Sequence, residues 1–300
     1  MKATLWNLVR LARPAHWLKN VFVFAALVFA RRVGDVAAWV AAAEAAAAFC
    51  LASSAAYVFN DLVDRRQDAQ HPLKRDRPLA SGAVAPAAAV AFSVVLAAGG
   101  LILSALAGPR VPWAVGAYLV LMAAYTGGLK RVAILDVLLI ACGFLLRAEA
   151  GGLAVDDAVE ADVEVSHWLL LCTLTLSLFL GFAKREAERA ALGDRAGETR
   201  SVAWTVYSRR GLEQMMTISA GLAIVTYMLY TVSPRTIRQV VGHPWLFVTV
   251  LPVVYAVFRF YSLTLAGRVS GPVDMFRRDP PFVLALLVWL AMVAAVLYVF

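Results

Sequence analysis

The sequence predicts an all-α integral membrane protein, built as a bundle of nine transmembrane helices. Of its 300 residues 62% are apolar, the mean hydropathy is +0.74, and runs of about 20 apolar residues recur along the chain. Almost everything outside these runs is short connection, which predicts one membrane-embedded domain over residues 1–300. The predicted spans cover residues 16–30, 36–59, 83–107, 111–128, 132–153, 166–183, 212–232, 244–265 and 281–300.

The ends of these spans carry residues that are typical of a membrane boundary. The first span follows several cations and contains no small-residue cleavage site, so we expect a retained helix and not a signal peptide. The three cysteines lie inside spans without metal-ligand spacing, which favours packing roles. Tryptophans stand near the ends of spans one, four, six and eight, as interfacial anchors do: Trp17, Trp113, Trp168 and Trp245.

Lysine and arginine are divided unequally between the two sets of connections. The N-terminal tail, counted through Lys19 in the first turn of span one, and the connections after spans two, four, six and eight hold 21 of the 28 cations. The other connections hold 5. In the connection between spans five and six, all of the charged residues are acidic. The positive-inside rule therefore predicts a cytoplasmic N-terminus and an outside C-terminus. This bias explains most of the net charge of +8, so nucleic acid is not needed to account for it.

An acidic segment at the end of the second span is the strongest functional signal. Asn60, Asp64 and Asp68 are four residues apart and Asp61 precedes Asp64 by three, so on a helix these residues share one face. Hard oxygen ligands of this kind suit Mg²⁺, which takes one or two carboxylates together with water and substrate phosphates. The alternative is a solvated helix end whose acids pair with nearby cations. Acidic groups at the end of a membrane span are costly without a function, which favours the metal site.

Cations in three of the connections predicted to be cytoplasmic are candidates for phosphate binding. The connection after span six begins with Lys184, Arg185 and Glu188. The two cations could bind phosphate, or Arg185 and Glu188 could form an ordinary ion pair on the helix surface. Lys130, in the short connection after span four, is equally typical of a positive-inside residue. The candidate phosphate-binding cations are Lys74, Arg77, Lys130, Lys184 and Arg185.

Charged residues inside spans are costly and need an explanation. We expect Arg147 to line a wet cavity, with an ion pair to an acidic neighbour as the alternative. Arg259 either binds substrate or extends its side chain to the membrane surface. The sequence leaves the role of Glu44 open. No Gly-rich nucleotide loop, zinc pattern or nucleophile elbow occurs in the chain.

Taken together, these motifs resemble the UbiA-type intramembrane prenyltransferase superfamily. Within it, the chain is most similar to the decaprenyl-phosphate phosphoribosyltransferases. The resemblance implies a UbiA-like bundle around a central cavity that opens to the cytoplasm, in the bacterial plasma membrane. The residues that carry it are Asn60-Asp61-x-x-Asp64-x-x-x-Asp68, Lys74, Arg77-Pro78-x-x-Ser81-Gly82, Arg13-Pro14-x-x-Trp17-x-Lys19-Asn20, Gly128-Leu129-Lys130, Leu146-Arg147-Ala148, Lys184-Arg185-x-x-Glu188 and Gly271-Pro272-x-Asp274.

One departure from the superfamily pattern separates the subfamilies. Aromatic prenyltransferases carry a second DxxxD motif after span six, for a second metal, whereas this chain has Lys184-Arg185-x-x-Glu188 there. Cations at that place favour direct binding of additional phosphate. Asp136, where the family has Glu, and the polar Glu149 are further departures.

The resemblance implies transfer of 5-phosphoribosyl from phosphoribosyl diphosphate (PRPP) to decaprenyl phosphate, with release of diphosphate. It implies Mg²⁺ as cofactor, held with the diphosphate by Asn60, Asp61, Asp64 and Asp68. Asp61, Asp64, Asp68, Lys184 and Arg185 are the predicted catalytic residues, and Lys19, Lys74, Arg77, Tyr125, Lys130, Arg147, Glu188 and Arg259 the predicted substrate-binding residues.

The expected partners are PRPP, a polyprenyl phosphate and membrane lipids, without nucleic acid, and a homo-oligomer is left open. The product would serve the synthesis of a cell-wall arabinan. The first alternative is a prenyltransferase that uses a prenyl diphosphate donor and acts on an aromatic or quinone precursor. The second is a transporter or lipid-binding scaffold.

Overall fold

A computed structural model shows helices throughout the part of the chain that it describes, which is residues 2–70, 74–159, 166–192, 207–269 and 271–299. The predicted all-α class is confirmed over these residues. The α-helices are α1 Lys2–Ala12, α2 Ala25–Phe29, α3 Val36–Gln70, α4 Pro86–Leu106, α5 Val111–Gly127, α6 Leu135–Val159, α7 His167–Leu192, α8 Arg209–Val232, α9 Val250–Leu265, α10 Pro272–Arg278 and α11 Pro280–Tyr298. Shorter 3-10 helices cover Pro14–Phe24, Leu129–Arg131 and Pro244–Thr249, and a π-helical segment covers Thr236–Val241.

Seven of the helical segments are long and apolar enough to cross a membrane. They correspond to α3, α4, α6, α7, α8, α9 with the 3-10 helix before it, and α11. Two shorter apolar segments, Pro14–Phe29 and Val111–Gly127, coincide with predicted spans one and four. Helix α3 continues past residue 59, where its apolar run ends, to Gln70, so the acidic segment is helical. Residues 160–165 of the acidic connection and 193–206 of the connection after span six lie outside the described residues.

The chain divides into two compact units. Unit 1 contains residues 1–130 and 143–165, and unit 2 contains residues 131–142 and 166–300. Helix α6 contributes its first two turns to unit 2 and the remainder to unit 1.

Small residues hold unit 1 together. Gly100 of α4 lies so close to α3 that an added Cβ would stand 3.0 Å from the carbonyl oxygen of Ala48. A Cβ on Gly151 of α6 would overlap the carbonyl group of Val23. Small side chains allow such close approach between membrane helices. The face of α3 that packs here is a stripe of buried alanines at helical spacing: Ala38, Ala41, Ala42, Ala45, Ala48 and Ala52.

Aromatic side chains form the core of unit 2. The ring of Phe260 on α9 lies 5.6 Å from that of Phe179 on α7 and 6.4 Å from that of Phe282 on α11, centroid to centroid. Val137, in the first turn of α6, belongs to the same buried cluster. This packing fixes the start of α6 against α7, so that Asp136 and Arg185 lie next to each other.

Candidate active site

The acidic segment of α3 divides into two rows. Asp61 and Asp68 are seven residues apart, about two full turns, and therefore lie on one line along the helix. Both are buried, with 2% and 3% of their surface exposed. Asn60 and Asp64 form the second row and are more exposed. The four residues predicted to act together thus have different surroundings.

Two arginines contact the buried row. One carboxylate oxygen of Asp61 accepts hydrogen bonds from Arg13 Nη2 at 2.6 Å and from Arg77 Nη1 at 3.0 Å. Arg77 Nη1 also donates to Asp68 at 2.7 Å, and Lys74 Nζ lies 3.6 Å from the other oxygen of Asp68. Arg77 and Lys74 therefore reach the acidic segment, as their position after α3 predicted.

Lys130 contacts the second row. Its Nζ lies 2.6 and 2.7 Å from the two carboxylate oxygens of Asp64 and 3.0 Å from Asn60 Oδ1. Asn60 Nδ2 in turn donates to Asp64 at 3.1 Å. The short 3-10 helix after α5 brings Lys130 to this place.

Tyr125, another of the predicted substrate-binding residues, is half-buried in the last turn of α5.

Arg13 is a residue of this site that the sequence analysis did not include among the candidates. Its backbone is left-handed, with φ 51°, and its guanidinium carbon lies 5.2 Å from the centroid of the Tyr57 ring. A non-glycine residue in this region signals a conformation held by its surroundings. Forty-eight residues separate Arg13 from Asp61, so no local pattern indicates the contact.

The donor set suits a metal that takes much of its coordination from a substrate. No group of three or more His, Cys, Asp or Glu side chains that could hold a metal occurs in the described part of the chain. A cage made only of protein ligands is therefore not formed there. The Asp64 carboxylate and the amide oxygen of Asn60 both contact Lys130, and this pair of oxygen donors matches the one or two protein ligands of a magnesium–diphosphate site.

Arg147 is buried in unit 1 among neutral partners. Its Nε donates to Asn20 Oδ1 at 2.7 Å, its Nη1 to the Gly143 carbonyl at 2.7 Å, and its Nη2 to the Tyr118 hydroxyl at 3.1 Å. The guanidinium carbon also lies 4.5 Å from the centroid of the Tyr118 ring. Within the described residues no carboxylate pairs with it, so the alternative of an ion pair with an acidic neighbour is wrong.

Lys19 lies beside this arginine on the 3-10 helix Pro14–Phe24. It is half-buried, and over the described residues it makes no ion pair. The positive charges of Arg147 and Arg13 are close enough to repel the Lys19 ammonium group. Lys19 and Arg147 thus form a basic pair for which the described residues show no carboxylate partner, whereas Arg13 nearby contacts Asp61.

In unit 2, Arg185 lies between two carboxylates. Its Nε donates to Asp136 Oδ2 at 2.8 Å, and its Nη1 donates to Glu188 Oε2 at 2.8 Å. Lys184 is largely exposed, with its Nζ 3.9 Å from Glu188 Oε1. The Arg185–Glu188 contact considered in the sequence analysis is present, but Arg185 is buried and its second carboxylate comes from another helix.

Tyr207 completes this group, and no motif in the sequence indicates it. Its hydroxyl donates to Asp136 Oδ1 at 2.5 Å and accepts from the backbone N–H of Ile134 at 2.6 Å. Burial, with the hydrogen bond to Asp136 as a second cause, raises the pKa of the Tyr207 phenol above its usual value. The phenol therefore remains a donor across the neutral range.

Arg259, predicted to bind substrate, contacts the end of a helix. Its Nη2 lies 2.8 Å from Asp279 Oδ2, and Asp279 Oδ1 accepts from the backbone N–H of Phe282 at 2.9 Å, which caps α11. Arg259 holds the pKa of the Asp279 carboxyl below its usual value. The pair therefore contributes to the cap of α11, and substrate binding by Arg259 stays a prediction.

We expect Asp279→Ala to lower the Tm by about 2–4 °C with transfer activity unchanged, since loss of a helix cap costs about 1 kcal/mol. The depressed pKa means that the stabilisation is complete at neutral pH and is lost as the carboxylate becomes protonated on acidification. The Tm difference between variant and wild type, measured from pH 7 downwards, should therefore shrink. A constant difference would contradict the assignment.

Comparisons with known proteins identify the family of this chain. The profile of the UbiA prenyltransferase family matches residues 20–277. The chain belongs to the UbiA prenyltransferase family. It is therefore a multi-pass membrane protein and an enzyme, as the sequence predicted.

Two curated UbiA-family relatives are similar over nearly the whole chain. The decaprenyl-phosphate phosphoribosyltransferase of Mycolicibacterium smegmatis is 33% identical over 97% of this chain and 92% of its own. The enzyme of that name from Corynebacterium glutamicum is 30% identical over 98% and 87%. Among solved structures, a UbiA homolog from Archaeoglobus fulgidus bound to GPP and Mg²⁺ matches with a TM-score of 0.71, 16% identity and coverage of 97% and 99%. That likeness shows the UbiA fold.

Proposed function

We propose that this UbiA-family enzyme transfers 5-phosphoribosyl from PRPP to a polyprenyl phosphate, decaprenyl phosphate in particular. The products are diphosphate and polyprenylphosphoryl-5-phosphoribose. The observation that carries the proposal is the near full-length similarity to decaprenyl-phosphate phosphoribosyltransferases. The buried Arg185, at the place where prenyl-diphosphate enzymes carry a carboxylate, supports a donor richer in phosphate.

In this proposal the acidic segment serves the leaving diphosphate. Asn60, Asp64 and Asp68 would hold Mg²⁺ with the diphosphate, and Asp61 would act mainly by fixing Arg13 and Arg77. A bound Mg²⁺ supplies Lewis-acid stabilisation of the departing diphosphate. Lys74, Arg77 and Lys130 then contact phosphate oxygens and offset the charge that develops as the bond from C1 lengthens.

The acceptor needs orientation more than activation. A phosphate monoester is already an anionic nucleophile, so no general base is required, which agrees with a site built from cations and carboxylates. Its oxygen attacks C1 of the ribose while the bond to diphosphate breaks. Positioning a soluble donor against a membrane-bound acceptor supplies much of the rate.

Lys19 and Arg147 are the proposed binding site for the acceptor phosphate. Among the described residues Arg147 is buried with neutral partners only, and a buried cation without an anion is costly. A lipid phosphate would supply the missing anion. The 3-10 helix Pro14–Phe24, packed against α6, places both residues in unit 1.

We expect Arg147→Met to raise the KM for decaprenyl phosphate by about tenfold, through the loss of charge-assisted hydrogen bonds, while the KM for PRPP is unchanged. Lys19→Met should act in the same direction. Arg110→Met, which alters an exposed ion pair of the same unit, is the control. An unchanged lipid KM in both variants, or a rise in the KM for PRPP instead, would refute this site.

We also propose how the chain is arranged in the membrane. Nine spans in one domain over residues 1–300, around a cavity that faces the cytoplasm, would place the N-terminus and the site on the cytoplasmic side of a bacterial plasma membrane. The seven long apolar helices, the two shorter apolar segments and the positive-inside distribution support this arrangement. The lipid product would supply a cell-wall arabinan.

Incubation of the purified protein with PRPP, Mg²⁺ and decaprenyl phosphate tests the function. Mass spectrometry should identify polyprenylphosphoryl-5-phosphoribose, with release of one diphosphate per product, and EDTA should stop turnover. A parallel reaction with a prenyl diphosphate and an aromatic acceptor tests the alternative donor. Prenylated product in that reaction, with no turnover of PRPP, would overturn the proposal.

A further inference from the structure

The backbone before α6 is strained at a place where a polar network is buried. Ile134 has φ 71°, a left-handed conformation that is rare for a β-branched residue. Its N–H donates to the Tyr207 hydroxyl, and Asp136, two residues later, lies in the first turn of α6. Strain of this kind persists only where surrounding contacts hold it, and it is common at functional sites.

The contacts of this network form a chain that ends at Arg185. The Tyr207 hydroxyl donates to one oxygen of Asp136, and the other oxygen of Asp136 accepts from Arg185 Nε. Asp136, Tyr207 and Arg185 have only 2%, 4% and 9% of their surface exposed. Both oxygens of the carboxylate are thus engaged, and its orientation defines the direction of the guanidinium.

We propose that Asp136 and Tyr207 are positioning residues that fix the Arg185 guanidinium to bind a phosphate group of the donor. This inference rests on the proposed function, because it assigns Arg185 to PRPP. A guanidinium carries five N–H donors, so an arginine can be held by carboxylates and also bind phosphate. Holding it in advance reduces the entropy lost when the donor binds.

The arrangement explains why the tyrosine lies just before α8. Ser208 caps that helix by accepting from the Gly211 N–H, which fixes the chain direction at Tyr207. The phenol therefore reaches the start of α6 from a defined backbone position. A phenylalanine would fill the same space but would leave the Asp136 oxygen and the Ile134 N–H without this partner.

We expect Tyr207→Phe to raise the KM for PRPP by about tenfold, from the loss of one strong hydrogen bond, with the KM for decaprenyl phosphate unchanged. In an Arg185→Lys background the same change should have less than about a twofold effect, because residues that act through one another are not additive. Asp136→Asn, of nearly equal shape, should show the same selective loss for PRPP.

Tyr261→Phe is the matched control, because its hydroxyl bonds only to Thr217 in the described contacts of the same unit and does not touch Arg185. Equal PRPP KM values for wild type, Tyr207→Phe and Asp136→Asn would overturn the positioning role, and so would additive effects with Arg185→Lys. Calorimetric binding of ribose 5-phosphate, which lacks the diphosphate assigned to the acidic segment, measures the same coupling without turnover. If wild type fails to use PRPP, the proposed function fails, whereas the ribose 5-phosphate measurements still decide the role of Tyr207.

Discussion

Asp64→Asn and Asp68→Asn are each expected to lower kcat for phosphoribosyl transfer by about 100-fold or more, with insertion and folding retained. Both changes keep the size of the side chain and remove the charge that would hold the metal and the diphosphate. Losses of this order follow when a charge-stabilising group is removed from an active site. Transfer is measured by diphosphate release, and folding by Tm and gel filtration.

Asp76→Asn provides the matched control for these variants. Asp76 is exposed and follows α3 in the same connection, so its replacement removes an equal charge close by without changing the two acidic rows. It should retain wild-type turnover. Wild-type-like rates for Asp64→Asn and Asp68→Asn together would remove the metal assignment.

Arg185→Gln should lower kcat/KM for PRPP by about 100-fold, because it removes a charge held to meet donor phosphate. The glutamine amide nitrogen stands where the arginine Nε donates to Asp136, which limits damage to that buried carboxylate. Arg185→Lys should recover part of the loss, since a lysine restores the charge but cannot contact both carboxylates with a fixed planar group.

The control for Arg185→Gln is Arg209→Gln. Arg209 pairs with Glu213 one turn along α8 and is exposed, so its contribution is small. The two variants should differ strongly in PRPP kinetics and little in Tm. Equal effects on the lipid and on PRPP would argue against a donor-specific role for Arg185.

The helical class and the helical position of the acidic segment could both be predicted from the sequence. The long apolar runs indicate membrane helices, and the lack of Gly and Pro between Val36 and Gln70 lets α3 continue through the acidic segment. The spacing of the acids also predicted a shared face, but not its division into two rows. That division depends on which cations reach each row, and Arg13 and Lys130 arrive from distant parts of the chain.

The other contacts that the sequence did not predict also join distant segments. Tyr207 lies 71 residues from Asp136, and nothing in its neighbourhood distinguishes it from other tyrosines. Arg259 lies near the end of an apolar run. An arginine that binds substrate and one whose side chain extends to the membrane surface have the same sequence pattern there. Its contact with Asp279 depends on the packing of α9 beside α11, which hydropathy does not specify.

The contact of Lys130 with Asp64 has a further consequence for how the enzyme is loaded. Lys130 and Arg77 neutralise the carboxylates of α3 that they contact, so little unbalanced negative charge remains at this surface. A metal–diphosphate pair would therefore have to compete with the Lys130 ammonium for Asp64. The displaced ammonium would then be free to contact the diphosphate oxygens.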